Sequence, residues 1–449
     1  MNSGVAVRRL APLRLAALAL TCTTLACAPA AKEGKGAESP KTAGPAPTQP
    51  AAPEAPGLGI SDAPTSGEDG VARPQMNAAA AQAYRAGMQA FQNGDLAGAK
   101  AQFAKATQAD PKAFQAFYSL GVVRERLGEE QSALTDYRQA TLIVPDYEPA
   151  IAAYGILLAR LGKPDQGEQF LNVRVAEMPK SAAVVAALAE VKSIQGDSGA
   201  AQRLAQEALK KNPDYRPAMV TLARDHYRSR RLDLALYTLK GILDGYGEEN
   251  PPRDKNNAEA HLIRGLIYKE QGLRGPAIQA FTRAIELRPD LVEARVQLAS
   301  YLLESGNAAE AKQHLESAVR YDLDNVHARL HLGDAYRLLG RTADAKRELE
   351  WVQRADPRLA QVHYNLGLLY LFSDSVPGVT PLEATDRAIA EFEEYKKMRP
   401  RIAGSNDDTD ELITRAKTKK ALLEAKAAEE AEAAQADPEA PAPGDAAPN

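Results

Sequence analysis

The chain has 449 residues, 45% apolar and 25% charged, with 55 Lys and Arg set against 59 Asp and Glu. A net charge of −4 supplies no general cationic field, so no nucleic-acid partner is expected. Aromatics make up only 6% while alanine is abundant, which favours packed helices over sheets, where β-branched and aromatic residues concentrate; the expected class is all-α. Length alone would suggest about three domains, but a chain with an internal period escapes that arithmetic.

The only two cysteines, Cys22 and Cys27, lie at the N-terminus, so the rest of the chain has no disulfide, thiolate nucleophile or cysteine metal site. Arg8, Arg9 and Arg14 form a positive region, residues 15–20 a short apolar core, and Thr24, Leu25 and Ala26 lead into Cys27. The apolar run is too short to span a bilayer. This segment resembles a bacterial lipoprotein signal, although Thr24 and Leu25 depart from the residues usual at their positions. The resemblance implies removal of residues 1–26, acylation of Cys27 and membrane attachment through that lipid anchor. Ala28 stands where an inner-membrane retention signal carries Asp, which implies an outer-membrane lipoprotein facing the periplasm. Residues 27–76 are rich in Pro, Ala and Gly and cannot bury enough apolar surface to offset their ordering entropy; they are expected to form a disordered tether. Residues 436–449 repeat that composition as a tail.

Between the tails runs a period. Pro111, Pro145, Pro179 and Pro213 recur every 34 residues, and Pro289, Pro357 and Pro400 continue the series after two insertions. One small-residue slot reads Gly87, Gly121, Gly155, Ala189, Ala223, Gly265, Ala299, Gly333 and Gly367; a second starts at Ala99 and Ala133. Helices cross closely only over small side chains, so these slots mark the crossings within helical hairpins. A larger apolar residue follows the second slot by four positions: Phe103, Tyr137, Leu171, Leu239, Phe281, Leu315, Leu349 and Phe392, with Ala205 as the weak member. Gly94, Gly128, Gly162, Gly196, Gly272, Gly306 and Gly340 sit where a first helix should end in a left-handed residue, with Asp95, Asp197 and Asn307 as caps of the second.

These residues resemble the tetratricopeptide repeat family over 77–402. The resemblance implies nine helix-turn-helix units stacked as a right-handed α-solenoid, with a groove lined by the first helices. Residues 407–435 are expected to add a C-terminal capping helix through Leu412, Ile413, Ala416 and Leu423, fraying at Glu429, Glu430 and Glu432.

Chemistry in the usual sense is poorly supported: no enzyme, cofactor or metal site is expected. Of six histidines only His327 and His331 stand four apart on one helix, and no third ligand accompanies them, so a zinc hydrolase is the weaker alternative. The fifth position of each unit is apolar or aromatic: Tyr84, Tyr118, Ala152, Ala186, Val220, Leu262, Val296, Leu330 and Tyr364. By the resemblance it faces the groove, where some members carry a lysine to clamp a partner's C-terminal carboxylate, and no lysine stands there. These side chains either pad neighbouring helices or form an apolar anchor site led by Tyr84, Met88, Phe91 and Tyr118. A basic series, Arg126, Arg160, Arg224 and Arg228 with Tyr227, is either a solvated face or a receiver for an acidic partner segment. Insertions at 245–257 and 373–386 are further candidates. The layout as a whole resembles that of a lipoprotein component of bacterial gliding-motility machinery. It implies a scaffold or assembly factor with protein partners in an envelope complex; a pilotin-like or peptidoglycan-enzyme adaptor is the alternative.

Overall fold

The computed structural model describes residues 73–399 and 408–436. Cys27, the signal segment, nearly all of the tether and almost the whole C-terminal tail lie outside the described residues. Among the described residues the chain is all helical, with one isolated bridge between Val376 and Val379. The helices are α1 Ala78–Gln92, α2 Leu96–Ala109, α3 Phe114–Arg126, α4 Glu130–Ile143, α5 Glu148–Arg160, α6 Pro164–Glu177, α7 Ala182–Gln195, α8 Ser198–Lys211, α9 Arg216–Arg228, α10 Leu232–Leu243, α11 Ala258–Glu270, α12 Arg274–Leu287, α13 Val292–Glu304, α14 Ala308–Tyr321, α15 Val326–Leu338, α16 Thr342–Ala355, α17 Ala360–Phe372, α18 Pro381–Met398 and α19 Thr409–Ala436. None of them is long and apolar enough to cross a membrane. The chain divides into two compact units, at 294/295.

In the first unit, α1 to α12 form six hairpins, and the first helices α5, α7, α9 and α11 also pack against one another in order. Each hairpin closes around a knob seated on the first small slot. A Cβ added at Gly87 would lie 2.6 Å from the Phe103 ring, and one at Gly121 2.6 Å from Tyr137. Where the slot holds alanine in the fourth hairpin, at Ala189, the opposing knob shrinks to Ala205, and both are fully buried.

The turns follow the expected chemistry. Asp95 accepts a hydrogen bond from the Gly98 amide and Asp197 from that of Ala200. The glycines closing the first helices are left-handed, for example Gly196 at φ 84°. The fifth hairpin departs: the slot is filled by Arg230, the one non-glycine residue with positive φ among those described, at 61°. The first insertion folds back on its own hairpin, the Arg253 and Asp254 amides bonding to the carbonyls of Gly241 and Ile242.

The second unit repeats the pattern. Asn307 caps α14 through the Glu310 amide, and Leu349 and Phe392 sit over Gly333 and Gly367. The second insertion is smaller as a loop than expected. Part of it lengthens α18 to 18 residues, against 14 in α16, and the turn before α18 ends in a capping box at Thr380 and Glu383. Helix α19 packs on α18 through Leu412, Ile413 and Ala416. Its backbone stays helical through the acidic stretch to Ala436, where fraying was expected.

Candidate partner-binding face

The first helices of the first unit carry every residue of the two candidate series, but the geometry treats them differently. The fifth-position side chains are mostly packing: Ala186, Val220 and Leu262 are buried, and Tyr84 and Tyr118 are half-buried. Tyr84 lies against Phe103, with ring centroids 5.5 Å apart, and shares a hydrogen bond with Ser119. Tyr118 meets Tyr137 and Tyr147, at 5.8 and 5.5 Å. Burial raises the phenol pKa of Tyr84, Tyr118 and Tyr147. Met88 is half-buried. Phe91 is 4% exposed and roofed by Arg126, whose guanidinium carbon sits 4.5 Å from the ring centroid. The four residues therefore do not form one open aromatic end. In the second unit, Tyr364 bonds to both carboxylate oxygens of Asp408 at 3.1 Å.

The arginines are not a free basic stripe either, because each faces a carboxylate that the sequence pattern did not single out. Arg160 donates to Glu125 at 2.8 Å across one repeat. Arg224 lies 2.8 Å from both Glu190 and Glu259. Arg228 approaches Glu190 at 3.7 Å and donates to Ser193 at 2.9 Å. Arg288 joins Glu259 at 3.2 Å to Asp290 at 3.3 Å, and Asp290 reaches Arg126 at 3.7 Å. The result is one chain of charges: Arg228, Glu190, Arg224, Glu259, Arg288, Asp290, Arg126. Tyr227 borders it, its hydroxyl bonded to Glu270 and its pKa raised chiefly by burial.

The electrostatics follow from enclosure. Burial pushes Glu259 upward, yet Arg224 and Arg288 outweigh it and hold its pKa at about 2. Glu190 is similarly lowered by Arg224 and Arg228 against its burial. For Arg126 desolvation dominates and lowers the pKa, with Asp290 only partly compensating.

One partner carboxylate had a readable signal: Glu125 and Arg160 are one period plus one residue apart, at 35. Arg224 and Glu259 are also 35 apart, but the first insertion lies between them and puts them out of register, so the period does not pair them. Asp290 had no such signal.

Metal chemistry has little to build on. Among the described residues no three His, Cys, Asp or Glu side chains gather in a way that could hold an ion, and His327 and His331 acquire no third ligand there. Other histidines have packing roles: His261 Nε2 lies 3.0 Å from the Lys255 carbonyl and His363 Nδ1 2.6 Å from Glu391.

Comparison with known proteins agrees with the helix pattern. Family models described as tetratricopeptide repeat match residues 84–148, 186–252, 258–291 and 302–367. Protein O-mannosyl-transferase TMTC1 of Homo sapiens is 21% identical over 201 residues, which are 45% of this chain and 22% of that protein. The chain thus spans about a fifth of that relative's length. The crystal structure of the APC/C hetero-tetramer Cut9-Hcn1 is similar with a TM-score of 0.54 at 15% identity, over 74% of this chain and 62% of that one. The crystal structure of PilW, a type IV pilus biogenesis factor, is similar over 49% of this chain and 99% of that one, with a TM-score of 0.35 at 22% identity. The matched segments, together with hairpins that all close a knob over a small slot, make this chain a member of the tetratricopeptide repeat family.

Proposed function

We propose that this protein is a non-catalytic scaffold or assembly factor that holds protein partners on its repeats, tied to the bacterial outer membrane through a lipid on Cys27. The observation that carries the scaffold reading is the chain of charges on the first helices. It links side chains of α3, α7, α9 and α11 with the turn before α13, so it draws on several repeats. Its members are fixed by one another, so the face is ordered before a partner arrives, which lowers the entropic cost of association. The envelope location rests on the signal-like residues before Cys27. The layout resembles the tetratricopeptide lipoprotein of the myxobacterial adventurous gliding-motility apparatus, which supports a motility complex as the envelope machine served.

The test is capture from detergent-solubilised envelopes with the acylated full chain as bait, read by mass spectrometry. A reproducible set of envelope proteins is expected, lost when Arg224 and Glu259 are both replaced by Ala in a variant of wild-type helicity. Cys27→Ser should move the folded protein from the membrane to a soluble fraction. An acyl-free wild type, or a bait that recovers no protein above a mock column, overturns the corresponding part of the proposal.

A further inference from the structure

Of the four arginines of the basic series, three donate at least one hydrogen bond to a side chain of a neighbouring repeat. Arg160 bonds to Glu125, Arg224 to Glu190 and Glu259, and Arg228 to Ser193. Arg126 differs. Among the described residues its guanidinium donates no hydrogen bond, and the nearest carboxylate, Asp290, stands at 3.7 Å, beyond hydrogen-bond length. Asp290 is itself engaged by Arg288 at 3.3 Å. The Arg126 side chain is only 17% exposed and lies flat enough on Phe91 for a 4.5 Å cation–π contact. An enclosed guanidinium with a planar backing and unused donors has the features of a carboxylate receptor: one face is held by the ring, its water is largely removed, and no short partner fills its fork.

We propose that Arg126, stacked on Phe91, is the docking point for an acidic side chain of a protein partner, with Asp290 as an internal competitor that limits access to it. This rests on the scaffold reading and names the partner chemistry at one point of that face. The lowered Arg126 pKa agrees, since desolvation there is undercompensated by Asp290 and an arriving carboxylate would supply the missing charge. Asp290 stays with Arg288 when the partner binds, so the entering group replaces a long ionic contact with short charge-assisted hydrogen bonds.

The probe is a fluorescein-labelled hexaglutamate peptide, with hexaglutamine as control, titrated by anisotropy into the folded full chain at low and at physiological salt. Charge-assisted hydrogen bonds contribute about 1.5–3 kcal/mol, which corresponds to a loss of about tenfold or more in affinity for Arg126→Gln. Arg160→Gln should stay within about twofold. Asp290→Asn, which removes the competitor, should tighten binding several-fold. Arg126→Lys keeps the charge but loses the fork and the stack, so it should bind almost as weakly as Arg126→Gln while melting like the wild type. Equal losses in Arg126→Gln and Arg160→Gln would reveal a diffuse charge effect and overturn the proposal, as would an Asp290→Asn variant that binds no better. The two readings fail separately. Envelope partners recovered equally by wild type and Arg126→Gln leave the scaffold standing and remove this site, whereas hexaglutamate selective for Arg126 with no captured partner does the reverse.

Discussion

Replacing Gly121 by alanine puts the crossing rule to a direct test. The added Cβ would sit 2.6 Å from Tyr137 Cε1 and 2.7 Å from Cδ1, well inside van der Waals contact. The ring cannot withdraw: it is 1% exposed, its hydroxyl donates to Glu125 at 2.8 Å, and Tyr118 packs on its side. Overpacking of this kind costs about 1–3 kcal/mol, while Gly→Ala inside a helix returns about 1 kcal/mol, so a net loss of up to about 2 kcal/mol is expected. Gly155→Ala meets Leu171 at 2.5 Å, yet leucine knobs already face alanine where Ala223 packs with Leu239 in one core. A leucine can change rotamer and accept the methyl, so Gly155→Ala should be close to neutral. Tyr137→Leu should rescue Gly121→Ala, because the double variant recreates the natural alanine–leucine pair; the expected coupling is about 1–2 kcal/mol. Urea melts followed by circular dichroism give the energies, and hydrogen exchange should show the loss centred on α3 and α4, since stability in a repeat array passes from neighbour to neighbour. A Gly121→Ala protein more stable than wild type, or a double variant whose effects merely add, would refute the knob-over-slot account.

Three further outcomes are expected. Arg230 is held at φ 61°, a strain of about 1–2 kcal/mol for an L-residue, and its pair with Glu270 is largely solvent-exposed; Arg230→Gly should therefore raise stability by about 1 kcal/mol in thermal melts. Burial raises the Asp136 pKa from 3.8 to about 6, with Arg124 offsetting only part of that, so the native state binds the extra proton between those values. Stability should fall by about 3 kcal/mol as pH rises through that window, and pH-resolved melts of Asp136→Asn should lose that slope. Thr380→Ala removes the capping-box acceptor of α18 and should cost about 1 kcal/mol, with faster amide exchange confined to the first turn of that helix.

How much of this was legible beforehand depended on sequence distance. The knob-over-slot pairs repeat at one spacing within each hairpin, so the period shows both partners; Gly87 with Phe103 and Gly265 with Phe281 are written in the chain itself. Caps such as Asp95 and left-handed glycines such as Gly94 act within a few residues and are legible for the same reason. Arg230 escaped because the pattern named glycine for its slot, and only the fold shows that the conformation persists without it. The insertion before α18 was visible as extra residues, but their division between helix and loop was settled by the capping box and the packing of Phe392 over Gly367.

The sequence by itself determined the helical class, the period, the hairpin crossings and the caps, because each is a contact between residues at short or repeated separations. It also placed Phe91 and Arg126 among the residues of interest without showing that one roofs the other. Tertiary structure decided the rest: which arginines donate short hydrogen bonds, that Phe91 is covered, and that Asp290 meets Arg126 from far along the chain. The physical reason is that burial and ion pairing depend on the angle at which each hairpin stacks on the last. Small rotations accumulate over several repeats before α3 can meet the turn after α12, and no local residue pattern states their sum.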